Sequence, residues 1–389
     1  MCRRCVIYAF CAICLNILLS TANAAPEQTN DFSLLLEEAV PNNHAVGMAV
    51  AVVRSGTVER IATYGKRRVD GEEPIDPDTV FRIASLSKTM TASVISQMVS
   101  EEKVVLSLPV SAFAPRLRLK STRATNALTL EHILSHRTSL PPNAYDNLLE
   151  AGISPSKIRA RFSEVNPICS VGVCYAYQNI MFDAASLLIE QRDGKAFADA
   201  LADRLFEPLG MERASVGLSN LKIDNNWARP HRRDSDKSWY VATVKDAYYK
   251  VPAAGGVNAS ISDMAEWLKA QLGHRPSVLS TNMLTLLHTP RVRTLAETRR
   301  VRPSMPNLED AHYGLGWRIY TYNGETIISH FGSVDRGYYA QITFLPDRDV
   351  GIVLLINGGT KEFSKILPAF LDQEIKAQKS LTASGDSAY

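Results

Sequence analysis

Residues 326–356 read TIISHFGSVDRGYYAQITFLPDRDVGIVLLI, in which three apolar runs stand out: Thr326–Ser333, Gly337–Leu345 and Val350–Ile356. Runs of this length, rich in Ile, Val, Phe and Tyr, read as strands, and the turn residues Pro346-Asp347-Arg348-Asp349 between the last two suit an antiparallel meander. At the other end of the chain Val46–Val53, Ser55-Gly56 and Thr57–Tyr64 read as a hairpin. Between the two ends the period changes. Ser85–Glu102, Leu130–Ser135, Ile180–Gln191, Phe197–Leu205 and Ile261–Leu272 carry apolar residues at helical spacing, as do Phe32–Val40 and Lys361 to about Lys376. The architecture that buries these faces is α/β (α+β): an antiparallel sheet built from both chain ends, flanked by helices, with a mainly helical region inserted at about 104–250.

The bulk properties fit a folded enzyme. Of 389 residues, 46% are hydrophobic and 21% charged, a balance that excludes a disordered or fibrous chain. Arg3 and Arg4, the apolar run Cys5–Leu19 and the small residues Ala22-Asn23-Ala24 have the layout of a secretory signal, so residues 1–24 are expected to be cleaved before Ala25. Export to the periplasm or medium of a bacterium follows, with no stable membrane insertion afterwards. Loss of the two arginines lowers the formal charge from +3 to about +1, which gives no case for nucleic acid. The stretch Arg291–Arg302 reads as a solvated basic loop. Cys169 and Cys174 are the cysteines left after cleavage, and an oxidising compartment favours a disulfide between them. The mature unit is expected to be one domain, 25–377, followed by a flexible tail, 378–389.

Ser85-Leu86-Ser87-Lys88 opens a helix whose Leu86, Met90, Val94 and Met98 recur every fourth residue. Serine and lysine three apart share one helix face. An uncharged amine beside a hydroxyl takes its proton, and burial or a neighbouring cation is what keeps a lysine uncharged. The spacing alone is weak evidence, since Ser100/Lys103, Ser154/Lys157 and Ser219/Lys222 repeat it. Only Ser85 follows a strand-like run, Val80–Ile83, and heads a periodic helix. Tyr177-Gln178-Asn179 adds a phenol able to relay a proton and an amide able to hold a carbonyl, and Tyr145-Asp146-Asn147 duplicates the pattern. His330-Phe331-Gly332 lies in a strand, where a glycine admits a close backbone. His312-Tyr313-Gly314 reads as a loop leading into a strand.

Phe81 to Lys88, Thr129 to Leu140, Tyr177 to Asn179, Leu205 to Met211, Tyr313 to Trp317 and His330 to Gly332 follow the order of motifs in class C β-lactamase-related serine hydrolases, and the chain resembles that family from about Val46 to Ile356. The family takes in β-lactamases, penicillin-binding proteins, D-amino-acid peptidases and esterases. The resemblance implies a Ser85 acyl-enzyme, proton transfer shared by Lys88 and Tyr177, and an Asn179 that orients Lys88 and substrate. It implies an oxyanion hole of the Ser85 and Ser333 backbone N–H groups, and a substrate-binding strand holding His330 and Gly332. No cofactor or metal is implied, and the substrate is a small molecule or peptide, cell-wall material included.

Two departures bear on substrate. His330-Phe331-Gly332 stands where the family's β-lactamases carry Lys-Thr-Gly, which replaces a fixed charge with an imidazole expected to make binding pH dependent. Peptide or ester hydrolysis is therefore expected over efficient β-lactam turnover. In His136-Arg137-Thr138-Ser139-Leu140 the glycine usual before the leucine is absent. A metal hydrolase on His132 and His136 fails because Ile133 stands where a glutamate is needed, and no G-x-S-x-G elbow supports a Ser-His-Asp enzyme. The rival of another class is a catalytically silent module binding peptidoglycan or a partner on the same fold.

Overall fold

The computed structural model describes residues 32–334 and 337–385; the expected leader lies outside them. Strands β1 (Gly47–Arg54), β2 (Thr57–Gly65), β3 (Val292–Arg293), β4 (Leu308–Tyr313), β5 (Arg318–Tyr322), β6 (Glu325–Val334), β7 (Tyr338–Leu345) and β8 (Val350–Ile356) form one sheet. Its order is β2-β1-β8-β7-β6-β5-β4-β3, antiparallel throughout. The first and last strands of the sequence reading thus pair side by side within the sheet, where Val50 faces Leu354 and Val52 faces Ile352. Every residue of β8 is buried, because it has neighbours on both edges and cover on both faces, which is why it reads as an unbroken apolar run.

Alternation divides the sheet's side chains between two cores. Met48, Val50, Val52, Ile352 and Leu354 pack beneath two terminal helices, α1 (Phe32–Ala39) and α6 (Ile366–Gly385), whose Phe32 and Phe370 rings meet edge-on at 5.3 Å. Ala49, Ala51, Ile342, Phe344 and Val353 belong to a core shared with the helical body, which includes α2 (Ser87–Ser100), α3 (Ala184–Asp193) and α4 (Ile261–Gln271), and α4 lies directly on β1 and β8. Helix α6 continues through residues 378–385, which the sequence reading assigned to a tail.

The structure departs from expectation in three places. Strands β3 and β4 stand where no strand is expected: Leu308–Tyr313 reads LEDAHY, with two carboxylates inside a six-residue strand, so its alternation is weak and its end reads as a loop, whereas β5 is the strand into which that loop is expected to lead. The basic stretch 291–302 is not a solvated loop, since it holds β3 and helix α5 (Leu295–Val301), with Glu297 and Thr298 buried. Helix α2 is not amphipathic, because every residue from Ser87 to Met98 is buried. Its hydroxyls are satisfied locally: Thr89 donates to the Leu86 carbonyl at 2.7 Å and Ser93 to the Thr89 carbonyl at 2.9 Å.

Candidate active site

Ser85 sits two residues before α2, in a short 3₁₀ turn, Ala84–Leu86. Ala84 has φ +48°, a left-handed conformation that costs a residue with a Cβ roughly 1–2 kcal/mol. The turn is held from both sides. Ile83 N–H donates to the Val257 carbonyl, and Ser87 Oγ donates to the Ala84 carbonyl while accepting from Val257 N–H. Strand β6 crosses directly behind, and a Cβ on Gly332 would fall 2.2 Å from the Ile83 carbonyl oxygen and 3.0 Å from the Ser85 nitrogen. Gly332 was expected to admit a substrate backbone. It admits the nucleophile's own turn instead.

Lys88 is fully buried one helical turn on. Its Nζ lies 2.7 Å from Asn179 Oδ1, 2.8 Å from the Ala254 carbonyl and 3.3 Å from Ser85 Oγ. An uncharged amine has two hydrogens and one lone pair. Asn179 Oδ1 and the Ala254 carbonyl are acceptors and take the hydrogens, so the lone pair is left for the Ser85 hydroxyl. Burial pushes this lysine well below its ordinary value and Arg318 adds to that, while Asp146 and Asp183 oppose it.

The two acceptors are themselves held. Asn179 Nδ2 donates to Asp146 Oδ2 at 2.7 Å, which turns the amide oxygen toward Lys88, and the Tyr248 hydroxyl also reaches Asp146, at 3.4 Å. Asp183 accepts from Ala253 N–H at 3.1 Å and pairs with Arg159 at 3.0 Å, which fixes the segment bearing the Ala254 carbonyl. Tyr177 puts its ring 4.7 Å from Lys88 Nζ. Burial raises its phenol above the ordinary range, with Arg318 and a hydrogen bond to Ser85 acting the other way. The hydroxyl is therefore protonated at neutral pH and able to give a proton away. Ser85, Tyr177, Asn179 and Ser333 line one cleft of about 940 Å³, so four of the expected site residues share it.

His330 does not reach the cleft. Its imidazole is buried away from the cleft, where Nε2 lies 3.0 Å from Arg318 Nη1 and 3.1 Å from the Tyr313 hydroxyl, and Nδ1 donates to the Phe331 carbonyl at 2.9 Å. Guanidinium nitrogens only donate, so Nε2 accepts and the ring is neutral. Burial, then Arg318 and Lys88, hold it well below its ordinary value, and it does not serve as the titrating substrate ligand that was expected.

The fixed charge comes from a residue the sequence reading missed. Arg318, on β5, lines the cleft, lies 5.5 Å from the Tyr177 ring and is ion-paired with buried Glu297 of α5. Glu297 also accepts from the Tyr175 and Tyr320 hydroxyls at 3.1 and 3.0 Å. Burial alone would raise this carboxyl, but Arg318 and Arg300 outweigh it and keep it ionised. A lone charged residue between Trp317 and Ile319 in an apolar strand was the available signal. Asp146 was visible too, inside the triplet read as a duplicate of Tyr177-Gln178-Asn179.

Around the cleft, Gly316 has φ +75°, and a Cβ there would fall 2.7 Å from the Lys88 carbonyl, so this turn closes on the back of α2. Ser139, where the family's glycine is missing, also has positive φ, +74°. His132 and His136 do not converge as a metal pair: His132 Nδ1 accepts from Thr129 N–H, and His136 Nδ1 accepts from Gln178 N–H beside the Tyr177 ring. Cys169 and Cys174 are joined by a disulfide in the loop leading to Tyr177.

Comparison with known proteins agrees with this geometry. The beta-lactamase family model matches residues 32–375. An unguisins hydrolase of Aspergillus campestris is 27% identical over 88% of this chain, although the match spans only 64% of that longer protein. A beta-lactamase of Escherichia coli K12 is 25% identical over 89% of this chain and 93% of its own length. A solved penicillin-binding protein homologue from Pyrococcus abyssi, described as octameric, superposes with a TM-score of 0.76 at 22% identity, over 86% of this chain and 75% of that one, and so shares the fold. With a family model matching nearly the whole described chain, and a buried lysine bonded to a cleft-lining serine beside a protonated phenol at its centre, this protein belongs to the beta-lactamase family of serine hydrolases.

Proposed function

We propose that the protein hydrolyses carboxylic esters or peptide-type amides through an acyl-enzyme on Ser85, and that β-lactams are poor substrates. Ser85 Oγ adds to the acyl carbon as its proton passes to Lys88 Nζ. The tetrahedral oxyanion is received by the backbone N–H groups of Ser85 and Ser333. The bond to the leaving oxygen or nitrogen then breaks as that atom takes a proton from Tyr177, which Lys88 recharges. Water repeats the sequence on the Ser85 ester and releases the acid.

The observation that carries the reading is the Lys88 bonding pattern, in which an uncharged Lys88 gives its two hydrogens to Asn179 and Ala254 and keeps its lone pair for the Ser85 hydroxyl. The same pattern argues against a silent binding module, for which a buried lysine would be pure cost. Substrate preference rests on charge. The cation beside Tyr177 is already paired with Glu297 and bonded to His330, so it has little surplus attraction for the carboxylate that a β-lactam brings. The test is intact-protein mass spectrometry after mixing with p-nitrophenyl butyrate, a D-alanyl peptide and a penicillin. The expected result is a Ser85 acyl adduct that turns over with the ester or peptide, a slow or absent reaction with the penicillin, and a loss of about 10³-fold or more in Ser85→Ala. Equal turnover by Ser85→Ala would refute it.

A further inference from the structure

Beside the catalytic cleft lies a second cavity, of about 260 Å³, that none of the chemistry above uses. Its walls are mostly apolar: Met305, Tyr320, Tyr339, Leu354, Phe363 and Leu367. Two residues, Phe331 and Arg300, line both this chamber and the cleft. The sheet register explains the connection. Ser333 and Phe331 are two apart on β6 and so share a face. Ser333 lines the cleft, and Gln341 and Leu354, which pair in succession across from Phe331, line the chamber. The two spaces are therefore neighbours along one face of the sheet, with the Phe331 ring between them. The Arg300 guanidinium lies 5.3 Å from that ring, and its side chain is 58% exposed, so the partition is a side-chain contact and not a backbone wall.

Leu354, Met305 and Leu367 leave at most 8% of their surface exposed, so the chamber is a recess and not an open face. It offers no carboxylate or imidazole to a polar group, and Phe331 and Arg300 stand between it and the cleft that holds Ser85. We infer that the chamber is an acyl-chain subsite, which takes a medium-length alkyl group carried by the substrate and reached past Phe331 and Arg300. This rests on the reading of Ser85 as the nucleophile of an ester or amide hydrolase, and it narrows the substrate class to acyl compounds with an apolar tail.

Binding and turnover separate the two claims. Calorimetric titration of the Ser85→Ala protein with p-nitrophenyl butyrate and octanoate reads the chamber without chemistry, and hydrolysis of both esters by the unaltered enzyme reads the nucleophile. Octanoate is expected to bind at least about tenfold more tightly, well within the roughly fourfold per methylene that ~0.8 kcal/mol per buried CH₂ allows. Leu367→Trp, which fills the chamber from α6, is expected to bring the octanoate-to-butyrate ratio close to one, and Leu367→Met, of similar volume, to keep it. Equal binding of the two esters, or a Leu367→Trp protein that stays folded by circular dichroism and retains the full ratio, overturns the subsite. Failure to hydrolyse either ester despite tight octanoate binding overturns the Ser85 reading and leaves the subsite standing.

Discussion

Asp146 never touches Ser85, yet the position of the proton acceptor depends on it. Its carboxylate fixes the Asn179 amide, whose oxygen holds Lys88, and its charge favours the protonated lysine. Removing that charge lowers the amine further, so the acidic limb of the kcat/KM profile should move to lower pH in Asp146→Asn. In Asp146→Leu the amide loses its anchor, and a buried N–H left unpaired costs about 1–3 kcal/mol. A fall in kcat of roughly tenfold or more is expected there. A pH profile unchanged in Asp146→Asn would remove Asp146 from the account. The residues legible from the sequence, Ser85, Lys88, Tyr177 and Asn179, belong to short motifs in which neighbours declare each other. The roles of Asp146, Glu297 and Arg318 were hidden because their partners lie 33, 21 and 12 positions away, and their chemistry exists only after folding.

Elements with a continuous apolar signature, such as β1, β7 and β8, were legible. Those whose burial comes from tertiary packing were not. Helix α5 carries Glu297, Arg299 and Arg300 and resembles a surface segment, but it closes the cleft because Glu297 finds Arg318 beneath it. A related effect governs the helix Thr281–His288, whose last residue packs against Trp317 at 5.5 Å and Phe344 at 5.4 Å, with Nε2 donating to Gln271 Oε1. Burial lowers this imidazole to about 3. The unfolded chain takes up a proton below about pH 6.5 while the folded one stays neutral, so stability is lost as pH falls from there toward 3, by up to ~1.4 kcal/mol per unit. Urea unfolding at pH 7 and 4.5 should show His288 accounting for about 2 kcal/mol of the difference. His288→Gln is expected to flatten the dependence by that amount, and an identical slope would contradict it.

At the scale of the molecule, the sheet joins strands from residues 47–65 to strands from 292–356, and the helical body between them carries the nucleophile helix. The fold thereby sets one strand, β6, against a turn some 245 residues earlier, with no room between Gly332 and Ser85 for any side chain. Periodicity gave the sheet and the helices. It did not reveal that the lysine would be enclosed on every side, which requires α2, Asn179, the Ala254 segment and Arg318 to close together. The central claim is that this enclosure keeps Lys88 uncharged at neutral pH. The most direct test is the single-turnover rate of Ser85 acylation by p-nitrophenyl butyrate, measured by quenched mass spectrometry between pH 7 and 9.5. An uncharged Lys88 predicts rates that agree within about threefold across the range. A lysine titrating near its ordinary value of about 10.4 would give rates rising close to tenfold per pH unit, and that result would contradict the account.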